Sequence, residues 1–281
     1  MARNVLRAGH DLVLYARHRE SARPLYEAGA RNCASPRELG ERCDVICTVV
    51  TSSADVEQIV LGANGLIEAA SSPQHFTTLV DFSTIAPLAA RRIASRLDAA
   101  GIDMLDAPVS GGEQGAINAT LSIMVGGKAE ALERVRPLLR GLGKTIVHVG
   151  ASGAGQIAKA CNQMVMVAAI QACAEAMRLC SAAGVDCEKV REAMAGGSAG
   201  SRVLDYFGAK MVRRDFAAGV EARLHHKDFG LLMAEAFGSG VPAPIAAAVW
   251  EQLNALMAHG WGAEDTSRLL AVLELAASTD R

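Results

Sequence analysis

The sequence predicts a doubly wound α/β parallel sheet followed by an all-α domain. Two observations carry this. In the first half, short β-branched runs alternate with amphipathic stretches at roughly 30-residue spacing, the signature of parallel strands joined by crossover helices. After Gly155, the 28 residues from Gln156 to Ala183 contain neither Gly nor Pro. Such a run makes a helix of about 42 Å, too long for one crossover in a small sheet. The expected division is a Rossmann-like nucleotide-binding domain over 1–152, incomplete at its N-terminal side, and a helical domain over 153–281 that begins with a long linking helix.

The elements follow in order. Leu12 to Tyr15, Val45 to Val50, Thr78 to Asp81, Met104 to Ala107, Ser122 to Val125 and Thr145 to Val149 read as strands. Ala22 to Glu27, Ala54 to Val60, Leu88 to Ala99 and Glu130 to Leu139 read as the helices between them. Beyond the linking helix, helical periodicity recurs at Cys187 to Ala195, Ser201 to Val212, His226 to Phe237, Ala243 to His259 and Thr266 to Leu275, separated by Gly-rich breaks. A doubly wound domain ordinarily opens strand, Gly-rich turn, helix. This sequence opens in what reads as the helix, Ala2 to Ala8, which gives the expectation that the natural chain starts upstream.

Bulk composition narrows the function. Hydrophobic residues make up 51% of the 281, enough for a substantial core, and with aromatics at 4% that core is aliphatic. A net charge of -2 without a basic run argues against nucleic acid as a partner. The seven cysteines form no Cys-x-x-Cys pair, so they read as small buried residues of a reducing, cytoplasmic protein, not a zinc site. No signal-peptide core opens the chain, and Lys159, Asn162, Gln163 and Gln171 interrupt its most apolar stretch, so no membrane span is expected.

Three segments carry candidate chemistry. Asp106-Ala107-Pro108-Val109-Ser110-Gly111-Gly112 follows a strand, at the carboxyl end where open sheets bind ligands. The bare N–H groups of Gly111 and Gly112, with the Ser110 hydroxyl, suit a carboxylate; a simple turn is the competing reading. Gly150 to Gln163 opens a helix with glycines and places Lys159 and Asn162 on one face. Partial burial would lower the Lys159 pKa and make it an acid or base near neutrality, whereas a lysine reaching for solvent would not be. Leu224-His225-His226-Lys227-Asp228-Phe229 opens a further helix, where Asp suits the dipole and Lys does not. Its adjacent histidines point in different directions and lack partners at metal-ligand spacing, so no metal site is expected.

Together these motifs resemble the 3-hydroxyacid dehydrogenase family, which contains 3-hydroxyisobutyrate dehydrogenase and 2-hydroxy-3-oxopropionate (tartronate semialdehyde) reductase. The likeness covers essentially the whole chain and includes Asp81-Phe82-Ser83-Thr84-Ile85-Ala86-Pro87, which is similar to the family's Ser-Thr-x-x-Pro loop. The resemblance implies an NAD(P)-dependent oxidoreductase acting on a small hydroxy acid or semialdehyde. Lys159 would be the catalytic acid/base. Ser110, Gly111 and Gly112 would hold the substrate carboxylate, and Asn162 would contact the substrate. Val50, Thr51, Thr84 and Lys227 would line the cofactor. Thr51 stands where the family usually has Pro, and Gln163 where some members have a second Asn. The Asn-Gln form looks more like the tartronate semialdehyde branch. Arg17, at the end of the second-strand segment Tyr15-Ala16-Arg17-His18, favours NADP over NAD, since an Arg pairs with the 2′-phosphate. The long apolar helices imply a homodimer or homotetramer. The competing readings are a non-catalytic cofactor-binding scaffold and an imine reductase, the latter disfavoured by Lys159. A phosphogluconate-type dehydrogenase has a related plan but a much longer chain.

Overall fold

A computed structural model describes residues 1–278. The chain forms two compact units, one from Met1 to Lys159 and one from Ala160 onward.

The first unit opens with α1 (Ala2–Arg7), β1 (Val13–Leu14), α2 (Arg19–Tyr26), β2 (Arg31–Asn32) and α3 (Pro36–Arg42). It continues through β3 (Val45–Thr48), α4 (Ser53–Leu61), β4 (Thr78–Asp81), α5 (Pro87–Asp98) and β5 (Asp103–Asp106). Then come β6 (Val109–Ser110), α6 (Gly112–Ile117), β7 (Leu121–Gly126), α7 (Ala129–Arg140), β8 (Gly143–Gly150) and the start of α8 (Ala154–Ala182).

Strands β3, β4 and β5 are parallel and in register, with Ile46 opposite Leu79 and Leu79 opposite Met104. This is the parallel core that the alternating pattern predicts. Beyond it β7 runs antiparallel to β5 and to β6, and β8 runs parallel to β7. Strands β4 and β5 are buried on both faces because alternate residues serve opposite layers, whereas β8 is largely exposed. Leu79 and Met104 pack under Val56, Val60, Ile93 and Leu97 of α4 and α5. Their neighbours Val80 and Leu105 pack under Leu132, Val135 and Leu139 of α7. Strands β1 and β2 pair only with each other, Val13 opposite Arg31, in a separate two-stranded parallel sheet.

Several short elements do not announce themselves in the sequence, among them α3, β6 and α6. The polar helix α3 has a small apolar face, Leu39 and the buried Gly40 against Ala69 and Phe76. Its Ser35 cap, whose hydroxyl accepts from Glu38 N at 3.1 Å, and the surface pairs Arg37–Glu41 and Arg42–Glu38 add to that packing. Strand β6 is two residues long and is defined by its pairing with β7. Helix α6 contains two glycines, a poor helical composition that packing of Gly115 against Leu121 sustains.

The second unit contains the rest of α8, α9 (Cys187–Ala195), a π-helical stretch Leu204–Gly208 running into α10 (Ala209–Arg213), α11 (Ala222–Gly238), α12 (Pro244–Ala258) and α13 (Leu269–Ser278). Val167, Ile170, Ala174 and Met177 recur on one face of α8 at helical spacing. They share a core with Phe229 and Leu232 of α11, Leu253 and Leu256 of α12, and Leu269 of α13. By length and composition α8 could cross a bilayer, but it carries Lys159, Gln163 and Gln171 among its buried residues. Only one face of α8 is buried, since Val165 and Leu179 are 72% and 71% exposed.

Candidate active site

The polar chemistry of the first unit gathers at the carboxyl ends of β3, β4 and β5. Asp106 closes β5 almost fully buried, and its two oxygens take the first turn of α8: Oδ1 accepts from Gly153 N at 2.7 Å and Oδ2 from Gln156 N at 3.0 Å. The carboxylate therefore satisfies two of the donors every helix start leaves open, with a favourable charge for that end. Burial pushes the Asp106 carboxyl above its usual range, and these backbone donors oppose the rise. Gly155 lets the helix come this close, since a Cβ there would fall 2.5 Å from the Met124 carbonyl oxygen and no farther from that of Asp106.

One turn on, Lys159 is 8% exposed, and its Nζ donates to the Val109 carbonyl at 2.9 Å. The amine is thus drawn inward to the residue next to Ser110 and does not reach for solvent. Gly111 follows at φ 136° and Gly112 at φ 63°, backbone conformations that glycine alone adopts freely. A Cβ on Gly112 would meet no atom within 4 Å. Ser110, Gly111, Gly112 and Lys159 therefore belong to one neighbourhood.

The loops after β3 and β4 are knit together. The Asp81 carboxylate, fully buried, accepts from Thr48 Oγ1 at 2.7 Å and from Ser83 N at 3.1 Å. Burial raises its pKa to about 6 against those hydrogen bonds, with a further push from Asp106. Ser83 Oγ accepts from Val50 N at 2.9 Å, and Ser53 Oγ accepts from Ala86 N at 3.1 Å. Val50 and Thr51 thereby lie in a loop tied directly to the one that carries Thr84. Arg17 does not join this cluster. Its guanidinium pairs at 2.5 Å with Asp55, in the first turn of α4, and remains 69% exposed.

In the second unit a separate polar chain forms. Asn162 Nδ2 donates to Gln163 Oε1 at 2.9 Å, Gln163 Nε2 donates to Asp228 Oδ2 at 2.7 Å, and Lys227 Nζ pairs with Asp228 Oδ1 at 3.0 Å. Helix α11 begins at Ala222, so Lys227 and Asp228 lie in its second turn, not at its start as the sequence suggested. The dipole argument for Lys227 therefore lapses, and the adjacent carboxylate accounts for its placement. Asp228 and Gln163, both buried, read from sequence only as a helix-start acid and as part of the Asn-Gln form; the sequence does not show their bond to each other. A buried Asp beside a Lys was the available signal. Of the two histidines, His225 Nδ1 lies 2.7 Å from Thr266 Oγ1, and His226 Nε2 lies 2.9 Å from Asn254 Oδ1 with its ring stacked on Trp250.

Known proteins match this arrangement over its whole length. Residues 1–150 fit the model of the NAD-binding domain of 6-phosphogluconate dehydrogenase, and residues 153–273 that of NADP-dependent 3-hydroxyisobutyrate dehydrogenase. The chain is 39% identical over 282 residues to 2-hydroxy-3-oxopropionate reductase of Escherichia coli, covering 99% of this chain and 94% of that one. It is 36% identical over 255 residues to 3-hydroxyisobutyrate dehydrogenase of Pseudomonas aeruginosa, covering 88% and 84%. Among solved structures, Mycobacterium tuberculosis 3-hydroxyisobutyrate dehydrogenase with L-serine superposes at a TM-score of 0.87 and 29% identity, over 97% and 94% of the two chains. A Streptomyces aurantiacus imine reductase, 20% identical with a TM-score of 0.61, shares the fold. The chain belongs to the 3-hydroxyacid dehydrogenase family. It is accordingly an NAD(P)-dependent oxidoreductase with a Rossmann-type first domain and a helical second one.

The donor set fits a nicotinamide dinucleotide. The hydroxyls of Thr51 and Thr84 lie in loops leading into the N-terminal ends of α4 and α5, and Arg17 offers an exposed cation at the end of β1.

Proposed function

We propose that the chain interconverts a small 3-hydroxy acid and its semialdehyde, with 2-hydroxy-3-oxopropionate as the aldehyde and NADP as the preferred cofactor. The observation that carries this reading is the inward-held Lys159 amine beside Ser110, Gly111 and Gly112. Ser110 Oγ and the N–H groups of Gly111 and Gly112 hold the substrate carboxylate. Asn162 contacts the substrate from α8. Thr84 and Lys227 contact the nicotinamide side of the cofactor, Val50 and Thr51 lie along the dinucleotide, and Arg17 holds its 2′-phosphate, exchanging Asp55 for that anion. The nicotinamide, when bound, supplies or takes up the hydride. In reduction Lys159 Nζ gives its proton to the substrate oxygen, and in oxidation it takes the hydroxyl proton. Anchoring the carboxylate fixes which carbon is presented, and orientation of this kind is a large part of the rate. Two features support the choice of aldehyde: the near full-length likeness to 2-hydroxy-3-oxopropionate reductase and the Asn162–Gln163 pair. The exposed Val165 and Leu179 on α8, with Phe237 and Ile245, support a homodimer or homotetramer.

Oxidation of NADPH and of NADH is measured with 2-hydroxy-3-oxopropionate, methylmalonate semialdehyde and succinic semialdehyde. The reading predicts the highest kcat/KM for the first, with NADPH ahead of NADH. A folded protein inert toward all three would contradict it.

A further inference from the structure

The side chain and backbone N–H of Gln156 make three hydrogen bonds, all to partners outside its own helix. Its side chain, 2% exposed, reaches the loop after β4: Oε1 accepts from Ile85 N at 3.1 Å and Nε2 donates to Ser83 O at 2.9 Å. The two bonds straddle Thr84. The Gln156 backbone N–H meanwhile donates to Asp106 Oδ2 at 3.0 Å. Lys159 follows three residues later, anchored to the Val109 carbonyl. One turn of helix is thus pinned to the end of β5, to the Thr84 loop and to the Val109 carbonyl.

We propose that Gln156 is a positioning residue, which sets the Thr84 loop against the turn of α8 that carries Lys159. The proposal rests on the reading of Thr84 as a cofactor contact and Lys159 as the proton-transfer group. A primary amide suits the task because it presents a donor and an acceptor side by side; an ionised carboxylate only accepts, an ammonium only donates, and a leucine does neither. Ser83 and Ile85 are themselves buried, so their freed backbone groups could regain partners only if the loop moved. Movement there displaces Thr84 with Lys159 still in place.

Two variants test this, each checked for folding by circular dichroism. Gln156→Leu keeps the volume and removes both bonds. NADPH affinity, read by fluorescence titration without substrate, is expected to weaken about tenfold, and kcat to fall roughly a hundredfold, as displacement of about an ångström does. The aldehyde KM is expected to stay within twofold. A folded Gln156→Leu protein with wild-type NADPH affinity and kcat would overturn the proposal. Gln156→Glu decides the matter if the leucine variant does not fold. Protonation of its carboxyl restores the donor toward Ser83, so relative to wild type its kcat rises as pH falls. A kcat profile parallel to wild type would overturn the proposal. Should the wild-type chain turn over none of the three aldehydes, the substrate reading fails alone. The NADPH titration then still decides this one, weakened binding in Gln156→Leu sustaining it and unchanged binding refuting it.

Discussion

Two regions of the molecule, the carboxyl end of the sheet in the first unit and the apolar core of the second, hold together by different means. Where β3, β4 and β5 end, the buried residues are Thr48, Asp81, Ser83, Asp106 and Gln156, each with a directional partner. In the second unit the core is Val167, Ile170, Phe229, Leu253 and Leu256, apolar and without direction. Volume specifies the second region and hydrogen-bond geometry the first. A core of the second kind tolerates swaps that conserve volume and suffers from cavities. A network of the first kind is sensitive to changes of one atom, because each unpaired buried group carries its full desolvation penalty. Chemistry that needs a lysine, a threonine and a glycine turn held in fixed relation gains from the first kind of order.

The contrast can be broken most forcefully in the helical core. Leu253 is fully buried on α12. Leu253→Ala should destabilise by about 2–5 kcal/mol and Leu253→Met by less than about 1.5 kcal/mol, read by urea unfolding. In both variants kcat of the folded fraction should stay near wild type. A large change in kcat without loss of stability would show that the core is not merely a volume-filling support.

Asp81 sharpens the contrast from the polar side. Its carboxyl titrates near 6 in the folded chain, against an ordinary value near 4. Between those values the folded chain binds more protons than the unfolded one. The Asp81 contribution to stability is therefore fully present below pH 4 and is lost as pH rises toward 6, after which it stays constant. Stability of wild type relative to Asp81→Asn should fall by about 3 kcal/mol across that window, measured by urea unfolding at each pH. A difference independent of pH would mean that Asp81 is charged throughout and that the Thr48 and Ser83 bonds outweigh its burial.

Much of this architecture was legible in the residues. Thr78–Asp81 and Cys187–Ala195 fall where periodicity places them, because β-branched runs and uninterrupted helical spacing are strong local signals. The Ser110 and Lys159 segments were legible through their family resemblance, since the Gly-rich turns alone also admit a plain turn and a lysine reaching for solvent. Helix α3 and strand β6 were not, since a polar cap network and a two-residue pairing leave no periodic trace. The roles of Asp106 and Gln156 were equally hidden. Their partners lie 47 to 73 residues away in sequence, and only the folded sheet brings those segments together. Arg17 reads from sequence as a phosphate ligand, yet its partner here is Asp55, a carboxylate 38 residues on. Sequence gives the charge of such a residue and not the company it keeps.

Under the proposed function Lys159 is the group that moves the proton. The direct test compares wild type with Lys159→Ala for NADPH-dependent reduction of 2-hydroxy-3-oxopropionate, with NADPH binding followed in the same samples. If that assignment holds, kcat falls roughly 10²–10⁴-fold while NADPH affinity is retained. Wild-type turnover in Lys159→Ala would contradict it and move the proton to another group.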